Sequence, residues 1–428
     1  MDKNGRFEKK DIFQGKQLLN TKLLHKNLQL KISELMQLRS KLPLVTTKLK
    51  KGKPLQIGFL GGSITFSEGY RSIITDMLQA KYPQSKISGI NGGIGGTGSS
   101  FGAFRLYKDI LRYKPGLIFV EFAVNDCAIS PEHSLAAMEG IVRQIKEFNL
   151  EIDICFIYTI NQEMKKALER GEQYWTVTTM EKIAAHYNIA SINLGPEVLA
   201  QEKSGKLIFQ LPRNSEAEHI ARQGGKLVFS YDSVHPTLDD GHGLYSKIIM
   251  TALEQLITIN VPTNPAIPIN TLSAHPWTKV NIFPLKAAEL SGQWNLTTPQ
   301  KENFQGIENI QRLNSLWKAT EAGAEIRFRF KGSGFGLLGI FGLNSGQFKV
   351  WIDGVEHSKV SLFDKYSNLY RVHYTIINDS LSDKEHEVIL QLDLNPPDRS
   401  MLLENRKIDD LKKLNGLVAY IDSLLVIG

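Results

Sequence analysis

The stretch QIGFLGGSIT, residues 56–65, sets the pattern for the first 260 residues of the chain. An apolar run ends in two glycines and a serine, which is typical of a buried strand followed by a tight loop. Similar apolar runs recur as KISGI, GLIFVEFAV, IDICFIYTI and IASINL, separated by helical patterns at 68–82, 100–113, 133–149, 174–188 and, last, 241–258. Strands that alternate with helices predict a parallel α/β sheet covered by helices on both faces.

Glycines and polar residues follow several of these predicted strands. Ser63 follows the first strand, the glycine-rich run Asn91–Gly98 follows the second, and Asn125 follows the third. Asp232 and His235 lie in the loop before the last helix. Because ligands bind beyond the carboxyl ends of the strands in open parallel sheets, we expect these residues to meet at one edge.

These residue types suit nucleophilic catalysis by a serine. A serine hydroxyl needs a base to take its proton, and the base needs a carboxylate to fix its tautomer. Ser63, His235 and Asp232 can fill those three roles. The oxyanion that forms on an attacked ester needs preorganised donors. The backbone N–H groups of Ser63 and Gly96 and the side-chain amide of Asn125 are the candidates.

The four motifs, in this order, resemble the SGNH or GDSL hydrolase family. The signature residues Ser, Gly, Asn and His of that family correspond to Ser63, Gly96, Asn125 and His235, with Asp232 three residues before the histidine. The resemblance covers roughly residues 55–258. It implies a flavodoxin-like, three-layer α/β/α fold and ester hydrolysis that uses no metal and no cofactor. The substrates of the family range from lipids to acetylated sugars.

The sequence departs from the family pattern at two places. Gly62 stands where G-D-S has its aspartate, and Ala123 and Val124 replace the glycines before Asn125. Neither change removes a catalytic atom. The variants LGGSIT and FVEFAVND, followed by a β-rich region, are more similar to members that deacetylate carbohydrates.

The resemblance therefore implies a serine esterase that removes acyl groups, above all acetyl, from an oligo- or polysaccharide through an acyl-enzyme. Trp175, next to Tyr174, is a candidate for stacking on a sugar ring, although aromatic residues at the start of a helix commonly belong to the core. Three alternatives stay open: an acyltransferase, a lipid or short-chain esterase with the same triad, and a carbohydrate-binding protein without activity.

Two other kinds of site compete for the same residues. Gly93–Gly98 spells G-x-G-x-x-G after a strand, and Glu121 ends the next strand, as in a dinucleotide site. That interpretation leaves the loop of Ser63 and the Asp-x-x-His motif unexplained. His235, Asp239 and His242 are a possible metal set, but His242 is spaced to lie within the last helix, where packing explains it better.

The chain divides into four predicted segments. Residues 1–50 have an uneven helical pattern and are interpreted as a helical arm, and residues 51–260 as the catalytic domain. Prolines recur over 261–290, which suits an extended linker. Residues 291–428 contain short strand-like runs broken by turn residues, which predict an antiparallel β-sandwich of jelly-roll type that also has the potential to bind carbohydrate.

Composition limits the other functions. The excess of 51 basic over 44 acidic residues lies largely in the first 53 positions, as in KLKKGK at 48–53, so nucleic-acid binding is not expected. Two cysteines, Cys127 and Cys155, give no disulfide framework. No apolar stretch is long enough for a transmembrane helix. The sequence as it stands predicts a cytoplasmic protein, or an exported or periplasmic one if a native leader precedes it; its oligomeric state stays open.

Overall fold

The computed structural model describes residues 28–258, 267–313, 315–400, 402 and 416–428. The chain separates into two compact units. The first unit comprises residues 1–102, 106–135 and 145–270, and the second comprises 103–105, 136–144 and 271–428, in each case as far as these are described.

The main sheet of the first unit has six strands, in the spatial order β1-β6-β5-β4-β2-β3. Their bounds are β1 Met36–Gln37, β2 Leu55–Gly61, β3 Ile87–Gly93, β4 Leu117–Glu121, β5 Asp153–Tyr158 and β6 Ala190–Asn193. Strands β2 to β6 are parallel, and β2 lies between β3 and β4. This is the flavodoxin-like order, with its switch point between β2 and β4. The predicted α/β class is confirmed.

Helices connect the parallel strands, and polar caps fix where several of them begin. Ser130 accepts the backbone N–H of His133, and Pro131 occupies the first helical position, where its missing N–H is not needed. The helices between residues 28 and 258 are Ile32–Leu35, Pro43–Lys50, Ser63–Phe66, Tyr70–Lys81, Ser99–Asp109, Pro131–Phe148, Gln162–Glu169, Trp175–His186, Gly195–Lys203, Glu216–Gln223 and Gly241–Thr258.

The start of the described chain differs from the helical arm expected over residues 1–50, of which 1–27 lie outside the described residues. Met36–Gln37 forms strand β1, antiparallel to β6, and Met36 pairs with Ile192. The edge of a sheet presents unpaired backbone groups, and a short strand satisfies them. Leu35 and Met36 are buried there, so packing on the sheet overrides the helical pattern.

A second, two-stranded parallel sheet joins β7 (Leu207–Gln210) to β8 (Leu227–Ser230). Strand β8 leads directly into the loop that carries Asp232 and His235. A bridge between Ser230 and Pro236 closes this loop at its base. The small sheet, which the sequence did not predict, thus holds both ends of the loop.

The second unit is built from antiparallel strands in two sheets, ordered β10-β13-β18-β15-β16 and β11-β12-β19-β14-β17, with β9 also paired to β19. Phe328 and Phe348 of one sheet and Phe335 and Ile421 of the other share one buried core. The predicted antiparallel β-sandwich is confirmed. The bounds are β9 Val280–Pro284, β10 Glu289–Ser291, β11 Asn295–Thr297, β12 Leu316–Ala319, β13 Glu325–Gly332, β14 Gly334–Phe341, β15 Gln347–Ile352, β16 Val355–Ser361, β17 Arg371–Asn378, β18 Lys384–Leu392 and β19 Ala419–Ile427.

The proline-rich segment 261–290 also differs from the extended linker expected for it. Residues 261–266 are not among those described, and Val280–Pro284 is strand β9. It pairs with β19 from Val280 opposite Ile427 to Pro284 opposite Ser423. Pro284 is tolerated because it is the last residue of the strand. Among the described helices, none combines the length and apolar character needed to cross a membrane.

A buried carboxylate joins the helix Pro43–Lys50 to the sheet. Asp153, the first residue of β5, is 5% exposed and accepts the backbone N–H of Val45 at 2.8 Å. Burial raises the pKa of Asp153 to about 7, although the N–H groups of Val45 and Leu44 and the charge of Lys146 oppose the rise. Because the folded-state pKa exceeds the unfolded one, the contribution of this group to stability is lost as pH rises through about 7.

Asp153→Asn should therefore gain stability relative to the wild type as pH rises. The neutral amide keeps an acceptor for Val45, and the wild type loses up to about 1.4 kcal/mol per pH unit over the window between the two pKa values. Urea unfolding of both proteins at pH 5 and pH 8 measures this. A stability difference between them that is the same at both pH values would contradict the assignment.

Candidate active site

Ser63 lies at the carboxyl end of β2, at the start of the helix Ser63–Phe66. The turn before it has no room for side chains. A Cβ on Gly61 would lie 2.2 Å from Thr65 Oγ1, and a Cβ on Gly62 would lie 2.0 Å from Asn125 Oδ1. The two glycines before the serine are thus required by close packing.

The three residues predicted to form a triad lie in one hydrogen-bonded chain. Ser63 Oγ is 2.7 Å from His235 Nε2, and His235 Nδ1 is 2.6 Å from Asp232 Oδ2. With Nδ1–H donating to the carboxylate, Nε2 presents a lone pair to the serine hydroxyl. This is the geometry in which a histidine can take the proton of a nucleophilic serine.

Backbone contacts fix the carboxylate of this chain. Asp232 Oδ1 accepts the N–H groups of Val234 at 3.0 Å and His235 at 2.7 Å. Partial burial works to raise the pKa of Asp232, but these bonds and the bond from the His235 side chain outweigh it, so the pKa is lowered. A lowered pKa keeps this carboxylate ionised beside the histidine, where a negative charge stabilises an imidazolium.

The loop of Asp232 and His235 is held from two sides. Ser230 Oγ, at the end of β8, donates to Asp232 Oδ1 at 3.1 Å. The backbone N–H of Gln162 donates to the carbonyl of Ser233, whose φ is +68°. The side chains of His235 and Asp232 are 46% and 55% exposed, so this loop is held by hydrogen bonds and is also open to solvent.

Asn125 begins a 3-10 turn, Asn125–Ala128, just after β4, the neighbour of β2. Its amide oxygen Oδ1 is buried against Gly62 and has no hydrogen-bond partner among the described residues. Asn125 as a whole is partly exposed, and the oxyanion role of its Nδ2 stays a prediction. The amide lies beside Gly62, the residue before Ser63.

Asp126 ties this turn to two helices. Its carboxylate is fully buried and accepts Ser99 N–H at 2.8 Å, Ser99 Oγ at 2.6 Å and Ser134 Oγ at 2.7 Å. Burial raises the pKa of Asp126, and these donors oppose the rise. Ser99 starts one helix and Ser134 belongs to the helix Pro131–Phe148, so Asp126 fixes the turn from which Asn125 projects.

Gly96 lies in the turn between β3 and the helix Ser99–Asp109, with φ of +67°. This left-handed conformation favours glycine. A Cβ at Gly96 would meet nothing within 4 Å, so the space beside it is open to a bound molecule. The turn is anchored to the nucleophile loop, since Ile94 N–H donates to the Gly61 carbonyl at 3.1 Å.

Trp175 begins the helix Trp175–His186 and is half-buried, with its ring centroid 6.3 Å from that of Tyr174. The Tyr174 hydroxyl contacts the thiol of Cys127, two residues after Asn125. This contact places Tyr174 near the Asn125 turn. A sugar-binding role of Trp175 stays a prediction.

The two competing interpretations do not suit the geometry. Glu121 is fully buried and accepts hydroxyl groups of the protein, so it is not available to a ribose. His242 is buried with a pKa lowered to about 4 by burial, and its Nδ1 accepts the backbone N–H of Tyr70. Asp239 is exposed in a turn. Within the described residues, no three or more His, Cys, Asp or Glu side chains are grouped to hold a metal ion.

The part of the chain that matches a known family contains the residues of the candidate site. Residues 59–242 match the model of the GDSL-like Lipase/Acylhydrolase family. These residues form a GDSL-like lipase/acylhydrolase domain. The match begins four residues before Ser63 and ends seven residues after His235. It confirms the predicted enzyme class, a carboxylic ester hydrolase.

The solved structures support the fold. A two-domain esterase active on acetylated mannans is 20% identical, with a TM-score of 0.68 over 93% of this chain and 98% of that one, and its complex with mannopentaose gives the same values. A variant of an acetylxylan esterase from Geobacillus stearothermophilus is 17% identical over 49% of this chain and 97% of that one, with a TM-score of 0.36. Comparison with curated proteins gives no match.

Sequence reasoning missed how the site is supported. It considered Glu121 only as a dinucleotide ligand and gave no role to Thr65, Thr159 or Ser99. One signal was available, because Glu121 is the single charged residue in the apolar run 117–123. A charge inside a buried strand needs hydrogen-bond partners, and the polar residues after neighbouring strands are the nearest source.

Two substitutions test the predicted oxyanion role of the Asn125 amide in different ways. Asn125→Ala removes the donor and should lower kcat by about 10²- to 10³-fold with little change in KM. Gly62→Ala keeps Asn125 but adds a Cβ into the space of its Oδ1, so it should lower kcat in the same direction. Steady-state kinetics on p-nitrophenyl acetate measures both.

Gly243→Ala is the matched control, because a Cβ at Gly243 would meet nothing within 4 Å. It should keep wild-type kcat. Thermal melts establish that each variant is folded at the assay temperature. A folded Asn125→Ala protein whose kcat falls by less than about fivefold would remove Asn125 from the oxyanion site.

Proposed function

We propose that this enzyme hydrolyses acetyl or similarly small acyl esters on an oligo- or polysaccharide, through an acyl-enzyme on Ser63. The hydrogen-bonded chain from Ser63 through His235 to Asp232 is the observation that carries the proposal. The Asn125 amide beside Gly62 supports it.

In the first half of the reaction, Ser63 Oγ attacks the acyl carbon while His235 Nε2 takes its proton. Asp232 stabilises the imidazolium that results. The carbonyl oxygen becomes an oxyanion, which accepts hydrogen bonds from Asn125 Nδ2 and from the backbone N–H groups of Ser63 and Gly96. When the C–O bond to the sugar breaks, His235 returns the proton to the departing sugar oxygen.

In the second half, water attacks the acyl group on Ser63, and His235 takes a proton from that water. A second oxyanion forms in the same place and uses the same donors. Collapse releases the carboxylic acid and returns the proton to Ser63 Oγ. In one cycle Nε2 accepts a proton twice and releases it twice, and the contact from Nδ1 to Asp232 holds the ring in one orientation for all four transfers.

The carbohydrate substrate rests on two further points. The esterase active on acetylated mannans matches this chain over both units, and not only over the catalytic one. The exposure of His235 and Asp232 suits a bulky, hydrated substrate, whose sugar rings stay in solvent while one ester enters the site. A polysaccharide ester fits both points better than a buried acyl chain does.

Acetate release from acetylated mannan and xylan oligosaccharides, beside p-nitrophenyl esters of two to eight carbons, tests the proposal. We expect measurable acetate release and a preference for acetyl over octanoyl among the aryl esters. Ser63→Ala should lose about 10⁴-fold or more of the activity on every substrate.

Preference for octanoyl would replace the carbohydrate substrate with a lipid. Transfer of acetyl to an added sugar, at the expense of acetate, would mean an acyltransferase. A folded Ser63→Ala protein that retains a tenth of the wild-type rate would show that the nucleophile is another residue.

A further inference from the structure

Glu121 is a fully buried carboxylate at the end of β4, the strand beside the one that leads to Ser63. Its Oε2 accepts Thr65 Oγ1 at 2.9 Å and its Oε1 accepts Thr159 Oγ1 at 2.7 Å. The backbone N–H of Gly62 is a third donor. The three donors are neutral groups, so hydrogen bonds and not an ion pair accommodate this acid.

Burying a carboxyl group in this way is costly. Burial raises the pKa of Glu121, although the bonds from Thr159 and Thr65 oppose the rise. An apolar residue at position 121 would avoid the cost of burying a charge, as the buried side chains of Val120 and Phe119 in the same strand do. The benefit of the Glu121 carboxylate must therefore come from positioning the groups that donate hydrogen bonds to it.

Two of its donors flank the nucleophile. Gly62 precedes Ser63, and Thr65 follows it by two residues. The Glu121 carboxylate therefore binds the loop on both sides of the serine. Thr65 is fixed further by the Tyr70 hydroxyl, 2.7 Å from its Oγ1. Glu121 belongs to the strand that ends just before Asn125. The carboxylate therefore joins the nucleophile loop to the strand that carries the oxyanion amide.

The remaining donor, Thr159, leads to the loop that carries Asp232 and His235. Thr159 follows β5, and three residues later Gln162 donates its N–H to Ser233, between Asp232 and His235. The backbone N–H of Ile160, between these two contacts, donates to the Tyr245 hydroxyl at 3.1 Å. The segment 159–162 thus links Glu121 to the loop that holds the catalytic histidine.

We infer that Glu121 is a positioning residue, which holds Ser63 Oγ at the separation from the Asn125 amide that the tetrahedral intermediate requires. It does not touch the substrate and acts through Gly62 and Thr65. The inference rests on the proposed ester hydrolysis but not on the identity of the sugar, so p-nitrophenyl acetate is a sufficient substrate.

Glu121→Gln is the first test. A carboxylate offers two acceptor oxygens, whereas a glutamine offers one and turns an N–H₂ group toward a donor. The shape is kept, so the loop should shift rather than unfold. We expect kcat to fall by about 10- to 100-fold, as for a small misplacement of reacting groups, with KM within about threefold of the wild type.

Glu181→Gln is the matched control. Glu181 is a partly buried carboxylate of the same unit that accepts the Tyr158 hydroxyl at 2.7 Å and pairs with Arg39, neither of which belongs to the nucleophile loop. It should lower the melting temperature without lowering kcat at a temperature where the protein is folded. Equal losses of kcat in both folded variants would mean that the loss is not specific to Glu121, and would overturn the inference.

A double-mutant cycle with Asn125→Ala separates positioning from general damage. If Glu121 acts by aligning Ser63 with the Asn125 amide, its replacement should lower kcat by less than about threefold once that amide is absent. If the two substitutions instead lower kcat by independent factors that multiply in the double variant, the positioning role is contradicted. Comparison of Thr65→Val with Thr65→Ser repeats the test if Glu121→Gln does not fold, since only serine keeps the donor and should restore kcat.

Failure of this inference is distinguishable from failure of the proposed function. A wild-type protein that turns over no ester refutes the proposed function itself. An active wild type, an inactive Ser63→Ala and an unimpaired Glu121→Gln together leave the esterase standing and remove Glu121 from its mechanism.

Discussion

The absence of a side chain at Gly62 is the constraint on which the site depends. The amide of Asn125 fills the space that a Cβ on Gly62 would need, since that Cβ would lie only 2.0 Å from Asn125 Oδ1. Strands β2 and β4 are neighbours at the switch point of the sheet, so the loops that follow them are already adjacent. In this chain the Asn125 amide fits between the two loops because Gly62 carries no side chain.

Buried acids organise the region below the surface. Glu121 gathers the donors of the nucleophile loop, and Asp126 gathers Ser99 and Ser134 around the Asn125 turn. Each acid is satisfied by hydroxyl and N–H groups whose positions are set by strand ends and helix starts. Such networks make a rigid arrangement because every partner is fixed by its own secondary structure. Rigidity beneath the exposed chain of Ser63, His235 and Asp232 would keep these groups aligned in the proposed reaction.

Much of the fold could be predicted from the sequence because local periodicity and chain order carry it. The apolar runs near 57, 88, 118 and 155 became neighbouring parallel strands, and Ser63, Asn125 and His235 follow their ends or lie in the last loop. Other features depend on long-range contacts that no local pattern records. Met36–Gln37 is a strand only because β6 has a free edge, and Val280–Pro284 is a strand only because β19 lies beside it. Glu121 was considered only for the competing dinucleotide site, because its sequence position fits a ribose ligand, whereas its surroundings bury it.

A crystal structure of the protein after reaction with a methyl fluorophosphonate tests the central claim most directly. We predict a covalent bond from phosphorus to Ser63 Oγ and a phosphoryl oxygen within about 2.7–3.1 Å of Asn125 Nδ2, the separation expected of an oxyanion donor. The backbone N–H groups of Ser63 and Gly96 should approach the same oxygen. An adduct on any other residue, or a phosphoryl oxygen turned away from Asn125, would contradict the account.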